Sequence, residues 1–172
     1  MSIAALGGCI LCLVTSLSFA AKPDSVALET FHAAVAGVPG WAEQKDRFRS
    51  FGTKQLYDLI DGGAAEYEKP GLVGGVLVVL SGAHNESAQI YIEDFGSAKR
   101  ALEMVKQKRK TASEPKTLAG AANAFTDEVI GGCVAYASFK GFYFELALTG
   151  YESQEKATDD AKVFINALIR RP

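Results

Sequence analysis

Cys133-Val134-Ala135-Tyr136-Ala137-Ser138-Phe139-Lys140-Gly141-Phe142-Tyr143-Phe144-Glu145-Leu146-Ala147-Leu148-Thr149 is the stretch that decides the fold. Successive side chains of a strand point to opposite faces of its sheet. On that count Phe142, Phe144, Leu146 and Leu148 share one face, and Tyr143, Glu145, Ala147 and Thr149 share the other. Lys140-Gly141 is a two-residue connection, the length that closes a tight hairpin. A parallel pair would need a crossover of a dozen or more residues, so these strands are expected to run antiparallel. Phe139, Phe142, Tyr143 and Phe144 gather at the hairpin tip with Tyr136 nearby. Such alternation is ordinary strand packing, and its rival reading is a cavity for an apolar ligand.

The same reasoning extends outward. Thr126 to Ile130 starts a further strand, and Gly131-Gly132 marks a turn or bulge. Upstream, Leu72 to Leu80 reads as a central strand, because Val76-Leu77-Val78-Val79-Leu80 is apolar on both faces. Gly74-Gly75 at its start suggests a bulge or a close backbone approach. Ala88 to Glu93 alternates, with Ala88, Ile90 and Ile92 inward, and completes a second hairpin. Arg47 to Phe51 alternates weakly, as an edge strand would. Helical stripes occur at Leu28, Phe31 and Val35 behind a cap at Asp24 or Ser25, and at Ala98, Ala101, Leu102 and Val105 behind Gly96-Ser97. The basic run Lys106 to Lys110 closes that second helix and reads as a solvated face. A last helix, Ser153 to Ile169, buries Ala157, Ala161, Phe164, Ile165 and Leu168. Thr111 to Phe125 reads as a long surface loop. The expected class is α+β: a mainly antiparallel sheet of about four to six strands, with about four helices mainly on one face.

The chain has 172 residues, 48% of them hydrophobic, which suits one domain with a real core. Its 18 basic and 20 acidic residues nearly cancel, so it has no overall pull toward nucleic acid. Met1 to Ala21 carries no charged side chain, and Ile10 to Val14 is an apolar centre. Ser18-Phe19-Ala20 places small residues where a leader peptidase reads them. The expected organisation is a signal peptide over 1–20 and a single domain over 21–172, in the periplasm or outside the cell. The apolar run is too short for a good membrane span, so no integral span is expected after cleavage. The minor alternatives are a leader kept as an anchor and lipidation at Cys9, which follows Leu6-Gly7-Gly8. After cleavage Cys133 is the only cysteine left, and stability must come from packing.

Chemistry is sparse. His32 and His84 are the only histidines, and neither stands at metal-ligand spacing from the other or from Cys133. No phosphate-cradling loop, dinucleotide fingerprint or nucleophile elbow occurs, so no cofactor and no metal is expected. Leu56-Tyr57-Asp58-Leu59-Ile60-Asp61-Gly62-Gly63-Ala64-Ala65-Glu66-Tyr67 is the one stretch that joins a helical pattern, paired glycines and separated carboxylates. Turning about 100° per residue places Leu56, Ile60, Gly63 and Tyr67 in one stripe, with Asp61 and Glu66 on opposite flanks. An unbroken helix therefore cannot converge these carboxylates on one atom. Adjacent glycines cost roughly 1 kcal/mol each inside a helix, so they need a compensating reason. Close packing, a break capped by Asp61, and a catalytic turn are the three candidates. Tyr57, Asp61, Glu66 and Tyr67, with Tyr143 from the hairpin, are the candidate ligand-binding residues.

Tyr57, Ile60, Asp61, Gly62, Gly63, Ala64, Glu66 and Tyr67 resemble the Tyr-x-x-Ile-Asn/Asp-Gly-Gly/Ala-Ala-Glu-x-Tyr helix of a family of exported bacterial proteins built on a domain of unknown function. The similarity continues at Ile90-Tyr91-Ile92-Glu93-Asp94-Phe95-Gly96-Ser97, where the family has a strand ending in Asp-Met-Gly-Ser, and extends to Lys140-Gly141-Phe142-Tyr143-Phe144. The chain departs from the pattern with Asp61 where Asn is common and Phe95 where Met is common. Asn is neither acid nor base, so the comparison argues against a catalytic Asp61. The resemblance implies export and a shared fold, and no reaction. The expected function is an exported cell-envelope binding or accessory protein, non-catalytic, whose partner is a small apolar or amphipathic ligand or another envelope protein. The alternatives are a hydrolase using Asp61 and Glu66 as an acid/base pair, and a structural envelope component.

Overall fold

The hairpin forms as the alternation predicts, from β7 (Gly132–Phe139) and β8 (Phe142–Thr149), and Lys140 takes φ 55° at its turn. The computed structural model describes residues 22–60 and 63–170; the expected leader and Asp61 fall outside the described residues. The second hairpin, β3 (Gly74–Ser81) and β4 (Ser87–Asp94), joins the first through an eight-residue antiparallel pairing of β4 with β8. β6 (Ala124–Val129) extends the sheet beyond β7. Two-residue strands finish the edges: β1 (Ala42–Glu43) on β3 and β5 (Lys116–Thr117) on β6. β2 (Arg49–Gly52) also pairs with β3. The order is β1-β3-β4-β8-β7-β6-β5, antiparallel throughout.

The class is thus α+β, with eight strands among the described residues rather than four to six. The excess is β1 and β5, each too short to show any period. β5 also lies inside the stretch expected to be a loop. There Asp127 accepts from the Ser113 and Glu114 amides, and Leu118 and Ala121 are buried, so the segment packs against the domain.

Five α-helices are described, against about four expected, and they cover both faces of the sheet rather than mainly one. α1 (Ser25–Ala36) and α5 (Gln154–Arg170) pack on the face of Phe142, Phe144, Leu146 and Leu148. Phe31 meets Phe142 and Phe144 edge-on, at 4.9 and 5.2 Å between ring centres. All five residues expected on the buried side of α5 are buried there. Asp24 caps α1 by accepting from the Ala27 amide. α2 (Thr53–Leu59), α3 (Ala64–Glu68) and α4 (Ala98–Thr111) lie on the opposite face, over Leu77, Val79, Phe125 and Tyr143. The one-face expectation fails because β4 and β8 bury both of their faces, Glu93 and Tyr143 included.

One smaller correction follows from this second layer. The buried stripe of α4 is Ala101, Met104 and Val105, while Ala98 is exposed and Leu102 only partly covered. In the Leu56 to Tyr67 stretch α2 ends at Leu59 and α3 begins at Ala64, so Gly63 stands in a break between two helices, one of the readings the glycines left open. Gly74-Gly75 is a close approach, since a Cβ on Gly75 would lie 2.4 Å from the Ile92 carbonyl oxygen. No helix among the described residues is long and apolar enough to cross a membrane.

Candidate functional site

β4 and β8 place their polar side chains on the face covered by α3 and α4. Glu93 stands opposite Tyr143 in the register, and Tyr91 opposite Glu145; Tyr136 of β7 also pairs with Glu145. The tyrosines raise a wall around two carboxyl groups. Glu145 Oε2 accepts from the Tyr143 hydroxyl at 2.8 Å and from the Tyr67 hydroxyl at 2.9 Å. Lys108 Nζ lies 3.6 Å from the same oxygen and 3.0 Å from Glu66 Oε2, and 4.7 Å above the Tyr67 ring. Glu66 Oε1 accepts from Gln107 at 3.2 Å. α3 is thus tied to the sheet through Glu145 and to α4 through Glu66.

Glu93 differs from its neighbours. It is wholly buried, and neither carboxyl oxygen has a hydrogen-bond partner among the described residues. An ion without partners in a dry interior is costly. Burial first, and then the Glu145 charge, holds the Glu93 carboxyl well above the ordinary value of 4.5, against a smaller opposing pull from Lys108. It keeps its proton where an exposed glutamate has lost it. The Tyr67 and Tyr143 hydroxyls are pushed up as well, chiefly by burial and then by Glu145, so both stay donors across the physiological range.

A second arrangement sits at the end of the sheet, where the β3–β4 turn meets the turn from β8 into α5. A cleft of about 520 Å³ opens there, lined by His84, Glu86, Tyr151, Glu152, Ser153 and Lys156. A smaller cleft of about 180 Å³ shares His84, Glu86 and Lys156 and adds Trp41 and Asp160. Glu86 is only 6% exposed. It accepts from Lys156 Nζ and, at 2.6 Å, from the His84 amide. The Lys156 hydrogen bond, followed by the His84 amide, lowers the Glu86 carboxyl to about 2. Tyr151 donates to Asp160 at 2.9 Å. Gly150 adopts φ +85°, and its missing side chain lets the two turns touch, because a Cβ would sit 2.4 Å from the Asn85 carbonyl oxygen.

Of the residues singled out from sequence, the structure brings Glu66, Tyr67 and Tyr143 together through Glu145 and Lys108. It does not bring Tyr57 there: Tyr57 is half-exposed on α2 and donates to Glu68 of α3 at 2.9 Å. None of the clefts of about 180 to 520 Å³ is lined by Tyr57, Tyr67 or Tyr143. Sequence reasoning missed Glu93, Glu145 and Lys108. The signal for the glutamates was present, because Tyr91 and Glu93, and Tyr143 and Glu145, alternate onto one face. That face read as solvated only while no helix was placed on it. Lys108 was read as part of a wet basic run, yet its side chain is 13% exposed. His32 packs as a half-buried residue, stacked on Phe48 and 2.8 Å from Glu43.

The fold defines an α+β sandwich of one antiparallel sheet between two helical layers. No protein-family profile matches the chain, and no curated protein matches it. Among solved structures, the chain is similar to the extracellular domain of PknH from Mycobacterium tuberculosis. The two share 13% identity at a TM-score of 0.51, over 86% of this chain and 92% of that one. At that identity the likeness shows a common fold and carries nothing about function.

Proposed function

We propose that this chain is an exported cell-envelope domain that works by binding a small amphipathic ligand, without catalysing a reaction, in the cleft between the β3–β4 turn and the start of α5. The observation that carries this reading is the built cleft of about 520 Å³, floored by the nearly buried Glu86 and its Lys156 partner. Sites of this kind combine apolar lining with a few fixed polar groups. Here Tyr151 and Trp41 supply apolar surface, while Glu86, Lys156 and Ser153 supply fixed polarity. A carboxylate held at about 2 exchanges protons poorly near neutral pH, which favours holding a ligand over acid–base work.

Export rests on the leader pattern over 1–20, and on a fold shared with a domain described as extracellular. Membership of the exported family with the Tyr57 to Tyr67 motif is part of the same proposal. The motif's Tyr67 and Glu66 then serve to seat α3 rather than to touch the ligand. The hydrolase reading gains little support, since Glu66 is already engaged by Lys108 and Gln107.

Native mass spectrometry of the protein purified from an exporting host tests the binding. A co-purifying small molecule that is lost in Lys156→Glu supports it, and none across several preparations counts against it. N-terminal sequencing tests the export: a mature chain beginning at Ala21 is expected, and one retaining Met1 removes the cleaved leader from the proposal.

A further inference from the structure

Glu93 calls for a physical account that ligand binding in the distant cleft does not give. It occupies a central strand of the sheet, wholly buried, with two oxygens that no described residue contacts through a hydrogen bond. The groups around it come from every element packed there. Glu145 and Tyr143 arrive on β8, Tyr91 on β4 and Tyr136 on β7. Glu66 and Tyr67 arrive on α3, and Lys108 on α4. Among the described residues the cluster holds one cation against three carboxyl groups, and Lys108 is already shared between Glu66 and Glu145. No described residue is left to neutralise a second negative charge beside Glu145.

We propose that Glu93 is a proton-binding site that controls how α3 is seated on the sheet: with the Glu93 proton in place α3 is closed, and loss of that proton lifts it. The geometry locates the weak point. α3 is five residues long and follows on the break between it and α2. Its hold on the sheet runs through the Tyr67 hydroxyl on Glu145, with Ala64 and the Tyr67 ring buried beneath it. Glu145 is the carboxyl group that a charged Glu93 would repel most, so the repulsion acts on the group that anchors α3. Lifting α3 admits water to both carboxylates and restores their hydration, at the expense of the Tyr67 hydrogen bond and its buried ring.

The direction of the pH response follows from linkage. In the open form Glu93 is hydrated and titrates near its ordinary value of 4.5; in the closed form it titrates higher. The closed state is therefore fully favoured below that ordinary value. Its equilibrium constant falls about tenfold per pH unit above it, until the closed form itself titrates. A Glu93→Gln variant keeps the shape, carries no titrating proton and abolishes the fall.

The test is amide hydrogen exchange of the purified protein between pH 5 and 9, corrected for the intrinsic rate at each pH. Protection of residues 64–68 is expected to drop about tenfold per pH unit over part of that range, while α5 stays protected. In Glu93→Gln the α3 protection is expected to be flat. A wild-type protein with flat α3 protection, or a Glu93→Gln protein with the same fall, overturns the proposal. Carboxyl-carbon NMR of the wild-type protein covers the case in which the variant fails to fold. A Glu93 midpoint at the exposed value overturns the proposal without any variant, and a raised midpoint that tracks the α3 amide shifts supports it.

Discussion

Glu145 Oε2 receives hydroxyls from two tyrosines that belong to different layers of the molecule. Tyr143 is its near neighbour on β8, and Tyr67 reaches it from α3 across 78 residues of chain. Removing either hydroxyl leaves a ring of the same shape, so the change isolates the hydrogen bond. Each Tyr→Phe substitution is expected to cost about 1.5 to 3 kcal/mol, the range for a hydrogen bond to a charged group. The two variants should differ in where they act. Tyr67→Phe should lower the exchange protection of α3 alone, and Tyr143→Phe should lower global stability measured by urea unfolding. Gly150 gives a sharper case. Gly150→Ala combines a positive φ with a Cβ 2.4 Å from a carbonyl oxygen that has no side-chain freedom to move. A loss of about 2 to 3 kcal/mol in the same unfolding experiment is expected. A loss under half a kcal/mol would show that the two turns are not held in contact.

At the level of elements, the two hairpins and α5 were legible in the sequence because each carries a long, clean period. The eight residues of β8 put four apolar groups on one face, and α5 repeats its apolar residues over about three turns. What was hidden is instructive. β1 and β5 have two residues each, and no pattern exists at that length. The second helical layer was hidden for another reason: its sheet face is lined by Tyr91, Glu93, Tyr143 and Glu145, residues that a binary reading sends to solvent. The polar cluster disguised a buried face, so the candidate site and the misjudged layer have one cause. A break was one of the readings that the glycines left open, and α2 and α3 are indeed separate helices with Gly63 between them. The cap on α1 was legible as well, and it makes a prediction. Asp24→Ala removes the acceptor for the Ala27 amide and should cost about 1 kcal/mol, read as a lower thermal midpoint. Asp24→Asn should recover most of it.

For the molecule as a whole, two buried carboxyl groups pull stability in opposite directions with pH. Glu86, held at about 2 by Lys156 and the His84 amide, contributes stability that is present above the ordinary value of 4.5 and is lost as pH falls toward 2. Glu93 is raised, so its contribution is full below 4.5 and is lost as pH rises through its folded value. The two contributions are complete together only near 4.5. The groups lie at different places, one at the cleft and one under α3 and α4, and share no partner, so their effects should add. Urea midpoints at pH 3, 4.5, 7 and 9 separate them. Relative to wild type, Glu93→Gln should gain stability at pH 7 and 9 and change little at pH 3. Glu86→Gln should lose stability at pH 4.5 and above, with the deficit shrinking toward pH 3. The double variant should show the sum. If Glu93→Gln is instead less stable than wild type at pH 9, the buried carboxyl has an ionised form that the fold accommodates, and the tie between Glu93 and the seating of α3 fails with it.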